Sequence, residues 1–156
     1  MSGEYEIKIV EAGDRSTALA LIWEVFLEFE ASEYSEEGVE EFRKFIGYDA
    51  ITEKMEKSDF VMWCCFLNQE IVGVLAYMPL NHISMLFVHK RHHRQGIARA
   101  LFQRQLTLCR AMKITQITVN SSPYAVEVYH RLGFEDTDIE RTVNGIRFVP
   151  MKYTLH

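Results

Sequence analysis

HISMLFVHKRHHRQGIARALFQRQLTLCRAM, residues His82 to Met112, is the stretch whose reading decides the fold. It opens with an apolar run of strand length, His82 to Val88, and continues through a basic, histidine-rich connection to Gly96. From there Ile97, Leu101, Leu108 and Met112 recur at intervals of four or seven, which predicts one apolar face of an amphipathic helix. A strand that feeds a helix through a glycine turn aims unpaired backbone N–H groups outward at the helix start. Those donors and the helix dipole favour an anion, most naturally a phosphate. Gly96 has no side chain to keep a phosphate from the backbone, and Lys90, Arg91, Arg94 and Arg99 add positive charge around the same turn.

Length and composition narrow the setting. A chain of 156 residues with 48% apolar content is expected to fold as one domain, over 1–156, with a substantial core. Its net charge of −5 argues against a general nucleic-acid binder and suits a cationic partner such as an amine. Three cysteines without paired spacing suggest no disulfide framework, and Cys64 and Cys65, adjacent in an apolar run, read as buried thiols of a reducing compartment. The beginning of the chain shows no apolar signal core, and no apolar stretch is long enough to span a membrane. The expected location is cytoplasmic, with neither a membrane nor nucleic acid as partner.

Around the central stretch, strand and helix patterns alternate. Tyr5 to Glu11 predicts a first strand, with Ile7 and Ile9 on one face, and Asp14 or Ser16 is placed to cap a helix carrying Leu19, Ile22, Trp23, Phe26, Leu27 and Phe29. A second helix is expected from Ser35, with Val39, Phe42, Phe45 and Ile46 as its buried stripe, and a short third over 50–57. Phe60 to Leu67 and Ile71 to Met78 read as a hairpin about Asn68–Gln69–Glu70. After the long helix, Gln116 to Val119 is a short strand and Pro123 opens a helix carrying Ala125, Val128, Tyr129 and Leu132, ended by Gly133. Phe134 to Thr137 and Ile139 to Val143 are extended, and Asn144–Gly145 turns into a last strand, Ile146 to Thr154. The pattern implies an α/β fold with a mixed, mostly antiparallel central sheet flanked by helices.

Two segments resemble one known family. FVHKRHHRQGIARAL is similar to the acetyl-CoA-binding motif of the GNAT superfamily of N-acyltransferases, in which Arg/Gln-x-x-Gly-x-Gly/Ala follows a strand. His93, Gly96 and Ala98 take the matching positions, after the strand end Leu86-Phe87-Val88, and His93 departs from the usual Arg or Gln. SSPYAVEVYHRLGF, Ser121 to Phe134, is similar to the family's later motif through Ala125, Tyr129, Leu132, Gly133 and Phe134. The resemblance covers the C-terminal half closely and the N-terminal half by element order.

What the resemblance implies is transfer of an acetyl group from acetyl-CoA directly to a primary amine. The amides of Gln95, Gly96, Ile97, Ala98 and Arg99, with Arg94 and His93 beside them, are expected at the pyrophosphate. The backbone of Leu86, Phe87 and Val88 is expected along a splayed strand, free to meet the pantetheine arm and polarise the thioester. Preorganised donors of that kind are worth about 2.7–4 kcal/mol each where measured. Tyr129 is expected to protonate the leaving thiolate, a phenol being protonated at neutral pH. Asn120, Ser122 and Tyr124 are expected near the cofactor, Ser122 standing where many relatives carry an Asn.

The base that deprotonates the amine is the least determined role. His82 stands where some relatives have a carboxylate and is the first choice; Glu28 and Glu30 on the first helix are the others. No cysteine has the context of an acyl-carrying nucleophile, and His89, His92 and His93 lack a ligand-grade partner for a metal. A non-catalytic CoA-binding or interaction module on the same fold is the alternative reading. The resemblance leaves room for a homodimer and leaves the amine unnamed.

Overall fold

The computed structural model describes residues 4–57 and 59–156. Eight strands and five α-helices follow in the order β1 (Tyr5–Ile9), α1 (Arg15–Phe29), α2 (Glu36–Phe45), α3 (Tyr48–Lys57), β2 (Val61–Leu67), β3 (Glu70–Tyr77), β4 (His82–Val88), α4 (Ile97–Ala111), β5 (Gln116–Ser121), α5 (Val126–Leu132), β6 (Glu135–Asp136), β7 (Arg141–Val143) and β8 (Ile146–Thr154). The sheet runs β1-β2-β3-β4-β5-β8-β6, with β7 paired to β8 alone. Every neighbouring pair is antiparallel except β4 and β5. This is the mixed, mostly antiparallel α/β sheet expected from the sequence.

Alternation along β2 and β3 sends side chains to two separate cores. Met62, Cys64, Val74 and Ala76 pack beneath α1, α2 and α3 with Ile22, Phe26 and Ile51. Trp63, Cys65, Leu75 and Tyr77 pack beneath α4 and α5 with Leu101, Phe102 and Tyr129. Asn68 and Gln69, both at positive φ, make the tight hairpin between β2 and β3. Cys64, Cys65 and Cys109 are buried free thiols. Among the described residues no helix is long and apolar enough to cross a membrane.

Several boundaries depart from the sequence reading. On α4, Leu108 and Met112 are exposed, Met112 by 67%, and the buried face is Ile97, Leu101, Phe102, Gln105, Leu106 and Cys109. A polar residue on that face hid it: Gln105 is buried because its Nε2 donates to the Leu80 carbonyl at 2.8 Å. Leu27, expected in the core, is 48% exposed, and Ala18, Leu21 and Val25 take the buried positions. Neither Asp14 nor Ser16 caps α1 through a side chain; Asp14 holds the N-cap position without such a bond. Helix α5 begins at Val126 rather than at Pro123, after a turn in which Ala125 N–H donates to the Ser122 carbonyl at 3.1 Å. The extended segments 134–137 and 139–143 shrink to β6 and β7, because Asp138 accepts from the Ile139 N–H and pairs with Arg141 to form a turn between them.

Two features of the fold shape the site. Helix α2, capped by Ser35 Oγ on the Gly38 N–H at 3.2 Å, sits directly on the β7–β8 turn. A Cβ on Gly38 would lie 2.2 Å from the Gly145 carbonyl oxygen, so the two backbones touch. In the other feature, pairing of β3 with β4 steps from Ala76↔Met85 to Tyr77↔Ile83, leaving Ser84 as an extra residue in β4. Ile83 therefore faces the α4 core while Met85 and Phe87 face the α1 core.

Gly38→Ala tests the backbone contact. The added methyl has rigid backbone to meet, so unfolding free energy by urea is expected to fall by about 1–3 kcal/mol. An unchanged midpoint would show that α2 is free to shift away from the hairpin.

Candidate active site

Strands β4 and β5 run parallel but pair only at His82↔Thr118 and Ile83↔Val119. Beyond Ile83 they diverge, and β4 keeps its ladder with β3 alone. The His89 N–H donates to the Val72 carbonyl at 2.8 Å, which sets the antiparallel phase. By that alternation Met85 and Phe87 bond across to β3, and the backbone groups of Leu86 and Val88 point the other way, into the opening. His93 Nε2 lies 2.7 Å from the Val88 carbonyl oxygen, so that carbonyl has a partner inside the protein.

The gap between the strands holds two cavities. One, of about 600 Å³, is lined by Leu86, Phe87 and Val88, by the turn and first residues of α4, and by Tyr124, Val128, Tyr129 and Arg131. It contains His93, Arg94, Gly96, Ile97, Ala98 and Arg99 of the predicted cofactor residues. Gly96 has φ +82 and caps α4, and a Cβ there would meet nothing within 4 Å: the space in front of the helix start is open. The first N–H groups of α4 have no partner within the helix and face that space. Gln95 is exposed beside it, with its side chain on the Arg91 carbonyl and close to His92. Arg99 Nη2 donates to the Arg131 carbonyl at 2.9 Å, tying α4 to α5. An elongated nucleotide with a diphosphate fits such a cavity: open amides at one end, an apolar strand edge at the other.

The second cavity, of about 310 Å³, lies between α2, β4, β5 and the start of β8. Tyr34, Phe42, Phe45, Met85 and Phe87 give it apolar walls, and Asn120 and Ser122 line it rather than the larger one. Asn120 stands within β5, opposite Pro150, not after the strand as the sequence implied. Five residues border both cavities: Glu30, Leu86, Phe87, Ala125 and Tyr129. The place where the two spaces meet is therefore walled by the β4 edge, the Tyr129 ring and the Glu30 carboxyl.

Tyr129 is 4% exposed, edge-on to Phe134 at 5.3 Å, and burial together with the negative field of Glu30 pushes its pKa up, so it stays a neutral phenol. Tyr124 stacks on Phe29 at 5.2 Å, and its N–H donates to Glu33 Oε1 at 2.9 Å. His82 stands apart. It sits at the closed end of the fork with Nδ1 2.7 Å from Thr118 Oγ1, borders neither cavity, and burial lowers its pKa. Glu28 is turned outward to Lys90 at 2.8 Å. Glu30, on the residue after α1, is the carboxylate that the fold brings to the junction. The sequence offered it as a candidate base after His82 and beside Glu28, and its place in an acidic, surface-like run (Glu24, Glu28, Glu30, Glu33) gave no reason to prefer it. Among the described residues no group of three or more His, Cys, Asp or Glu is arranged to hold a metal.

Burial raises the Glu30 pKa from 4.5 to about 7; Glu33 adds to the rise, and a hydrogen bond from the Ser122 hydroxyl opposes it. The folded chain thus binds this proton more tightly than the unfolded chain. Stability contributed by the neutral carboxyl is present below pH 4.5 and is lost as pH rises towards about 7, by an amount on the order of 3 kcal/mol. Glu30→Gln removes that loss. Urea unfolding at pH 4.5 and pH 8 is expected to show the variant gaining on the wild type at the higher pH. Parallel behaviour of the two proteins would mean that Glu30 ionises as an ordinary surface carboxylate.

A family model described as an acetyltransferase (GNAT) domain matches residues 30–155. Compared with curated proteins, the sequence has no match. Among solved structures the chain is similar to a GCN5-related N-acetyltransferase from Rhodopseudomonas palustris, with 19% identity, a TM-score of 0.84 and 99% of each chain covered. It is similar to the PaiA N-acetyltransferase of Thermoplasma acidophilum in complex with coenzyme A, with 15% identity, a TM-score of 0.81 and 97% and 99% of the two chains covered. A chimera of the spermidine N-acetyltransferase SpeG from Vibrio cholerae and hSSAT is 18% identical, with a TM-score of 0.66 over 96% and 95% of the two chains. At these identities the solved structures share the fold. The family match extends over most of a sequence whose two motifs already pointed the same way, and the chain belongs to the GNAT acetyltransferase family.

Proposed function

We propose that this protein is an N-acetyltransferase that moves an acetyl group from acetyl-CoA directly to a primary amine. The observation that carries the reading is the junction of the two cavities at Tyr129 and the open edge of β4. One space is long and begins at a helix start rich in free amides; the other is short, aromatic and acidic. A solved relative of the same fold was determined with coenzyme A, which supports that occupant for the larger space.

Acetyl-CoA, when bound, supplies an activated thioester. The chain's own groups do the rest. The amides of Gln95 to Arg99 hold the diphosphate, with Arg94, Arg99 and the α4 dipole neutralising its charge. The unpaired backbone of Leu86 receives the pantetheine arm and polarises the carbonyl, a contribution that grows as charge develops on oxygen. Tyr129, held neutral by burial, gives its proton to the departing thiolate. The buried thiols take no part: burial pushes Cys64 up to about 12 and Cys65 up to about 11, leaving neither as a thiolate nucleophile.

Two variants test the reading. Tyr129→Phe keeps the ring packing and removes the proton; kcat is expected to fall by about 10²–10⁴ while coenzyme A affinity by calorimetry stays the same. Equal turnover by the variant would remove Tyr129 from the acid role. Gly96→Ala places a methyl before the phosphate-facing amides, and coenzyme A affinity is expected to drop by about tenfold or more, the equivalent of one lost charge-assisted hydrogen bond. Wild-type protein with no affinity for coenzyme A would overturn the proposal in favour of a structural or interaction role.

A further inference from the structure

The smaller cavity carries information about the acceptor, if the acetyltransferase reading holds. Its charged lining residues are two carboxylates, Glu30 and Glu41, with no Lys, Arg or His among them. Glu30 is 8% exposed and has no ion-pair partner among the described residues. A buried carboxylate without a counter-charge costs the fold stability unless something cationic comes to meet it. Apart from the uncharged polar residues Ser84, Asn120, Ser121 and Ser122 on the strand side, the wall is aromatic and aliphatic, which favours the apolar body of an organic cation. Arg147, the guanidinium that acts on the neighbouring Tyr34, is already held by Glu140 and by the Glu33 carbonyl. At about 310 Å³ the space is at the small end of ligand sites.

We infer that the acceptor is a small primary amine on an apolar or aromatic body, bearing no acidic group, and that the Glu30 carboxylate receives its ammonium and takes the proton from it.

The proton balance closes with residues at the junction. Glu30 accepts one proton from the ammonium, and the freed nitrogen lone pair forms the C–N bond. The C–S bond breaks with its electron pair on sulfur, which takes the Tyr129 proton. The nitrogen's surplus proton restores the Tyr129 phenol, and Glu30 releases its own to solvent. Groups facing Glu30 are Glu33 from the turn after α1, Tyr34 before α2, and Ser122, Tyr124 and Tyr129 from the β5–α5 segment. Arg94 acts on Tyr124 and Arg147 on Tyr34, each one residue further out. Protonation of Glu30 near neutrality gives kcat/KM an acidic limb close to pH 7.

A matched pair of probes separates the alternatives: phenethylamine, and phenylalanine, which adds one carboxylate to the same body. With full-length protein, coenzyme A affinity is measured first by calorimetry, so that loss of the acetyltransferase reading is seen separately. Thiol release from acetyl-CoA is then followed with each amine, alongside calorimetric binding of each amine to the coenzyme A-loaded protein. Expected is turnover of phenethylamine at least 100-fold above phenylalanine in kcat/KM. Coenzyme A binding with equal use of both amines, or with phenethylamine neither bound nor acetylated, overturns the assigned class. Glu30→Gln is expected to lower kcat at least 100-fold and flatten the acidic limb, with Glu30→Asp recovering part of both. A folded Glu30→Gln protein, judged by thermal unfolding, that retains the limb overturns the assigned role.

Discussion

The structure depends on one refusal to pair. Two parallel strands in register at their first residues would ordinarily zip along their length, since an unpaired buried backbone amide costs about as much as a lost hydrogen bond. Here β4 and β5 part after Ile83 and Val119. What keeps them apart is packed on either side: Tyr129 and α5 at one level, the aromatic wall of α1 and α2 at the other. The cost of the separation is met partly within the chain, by His93 on the Val88 carbonyl, and the remaining donors and acceptors of the β4 edge are left for a ligand. A protein that stores unpaired backbone in a cleft has already aligned the groups that the proposed reaction would use, with no reorganisation needed as charge develops.

The Ser84 bulge works with that separation. Were Ser84 an ordinary ladder residue and not a bulge, Met85 would share a face with Ile83 and fill the α4 core. With the bulge, Met85 and Phe87 turn towards α1 and become walls of the smaller cavity. The same strand thus offers its edge to one cavity and two side chains to the other. Contact between Gly38 and Gly145 then sets how closely α2 approaches the turn before β8.

Much of this was legible in the chain itself, and what escaped has a physical reason. The motif residues Gly96, Ala98, Tyr129 and Gly133 carry backbone or side-chain roles at fixed spacings, and sequence preserves spacing. The sheet class followed from the alternation of apolar runs with hairpin turns. The buried face of α4 is not evident from residue type because Gln105 is polar yet buried, its amide nitrogen held by the Leu80 carbonyl, a contact between residues twenty-five apart. The bulge at Ser84 is invisible in the sequence because it is defined by the pairing with β3, and only the partner strand shows that the face has changed. His82 and Glu30 are the clearest case. A histidine at a strand start and a glutamate at a helix end look alike as sequence, and which of them meets a cavity is decided by the fork.

Glu30 also shows why such a site is difficult to recognise from residue type. A carboxylate is useful as a base near neutral pH only if its pKa approaches the working pH, and the ordinary value of 4.5 is too low. Desolvation supplies the shift, so the group must be buried where its charge is costly. The Ser122 hydroxyl tempers that cost without cancelling it; a guanidinium in its place would have stabilised the fold more and would have held the carboxylate low and occupied. The absence of a counter-charge among the described ion pairs is thus what links stability to chemistry here. The fold leaves the carboxylate underpaired, and in the proposed reaction a visiting cation would both relieve the penalty and yield the proton.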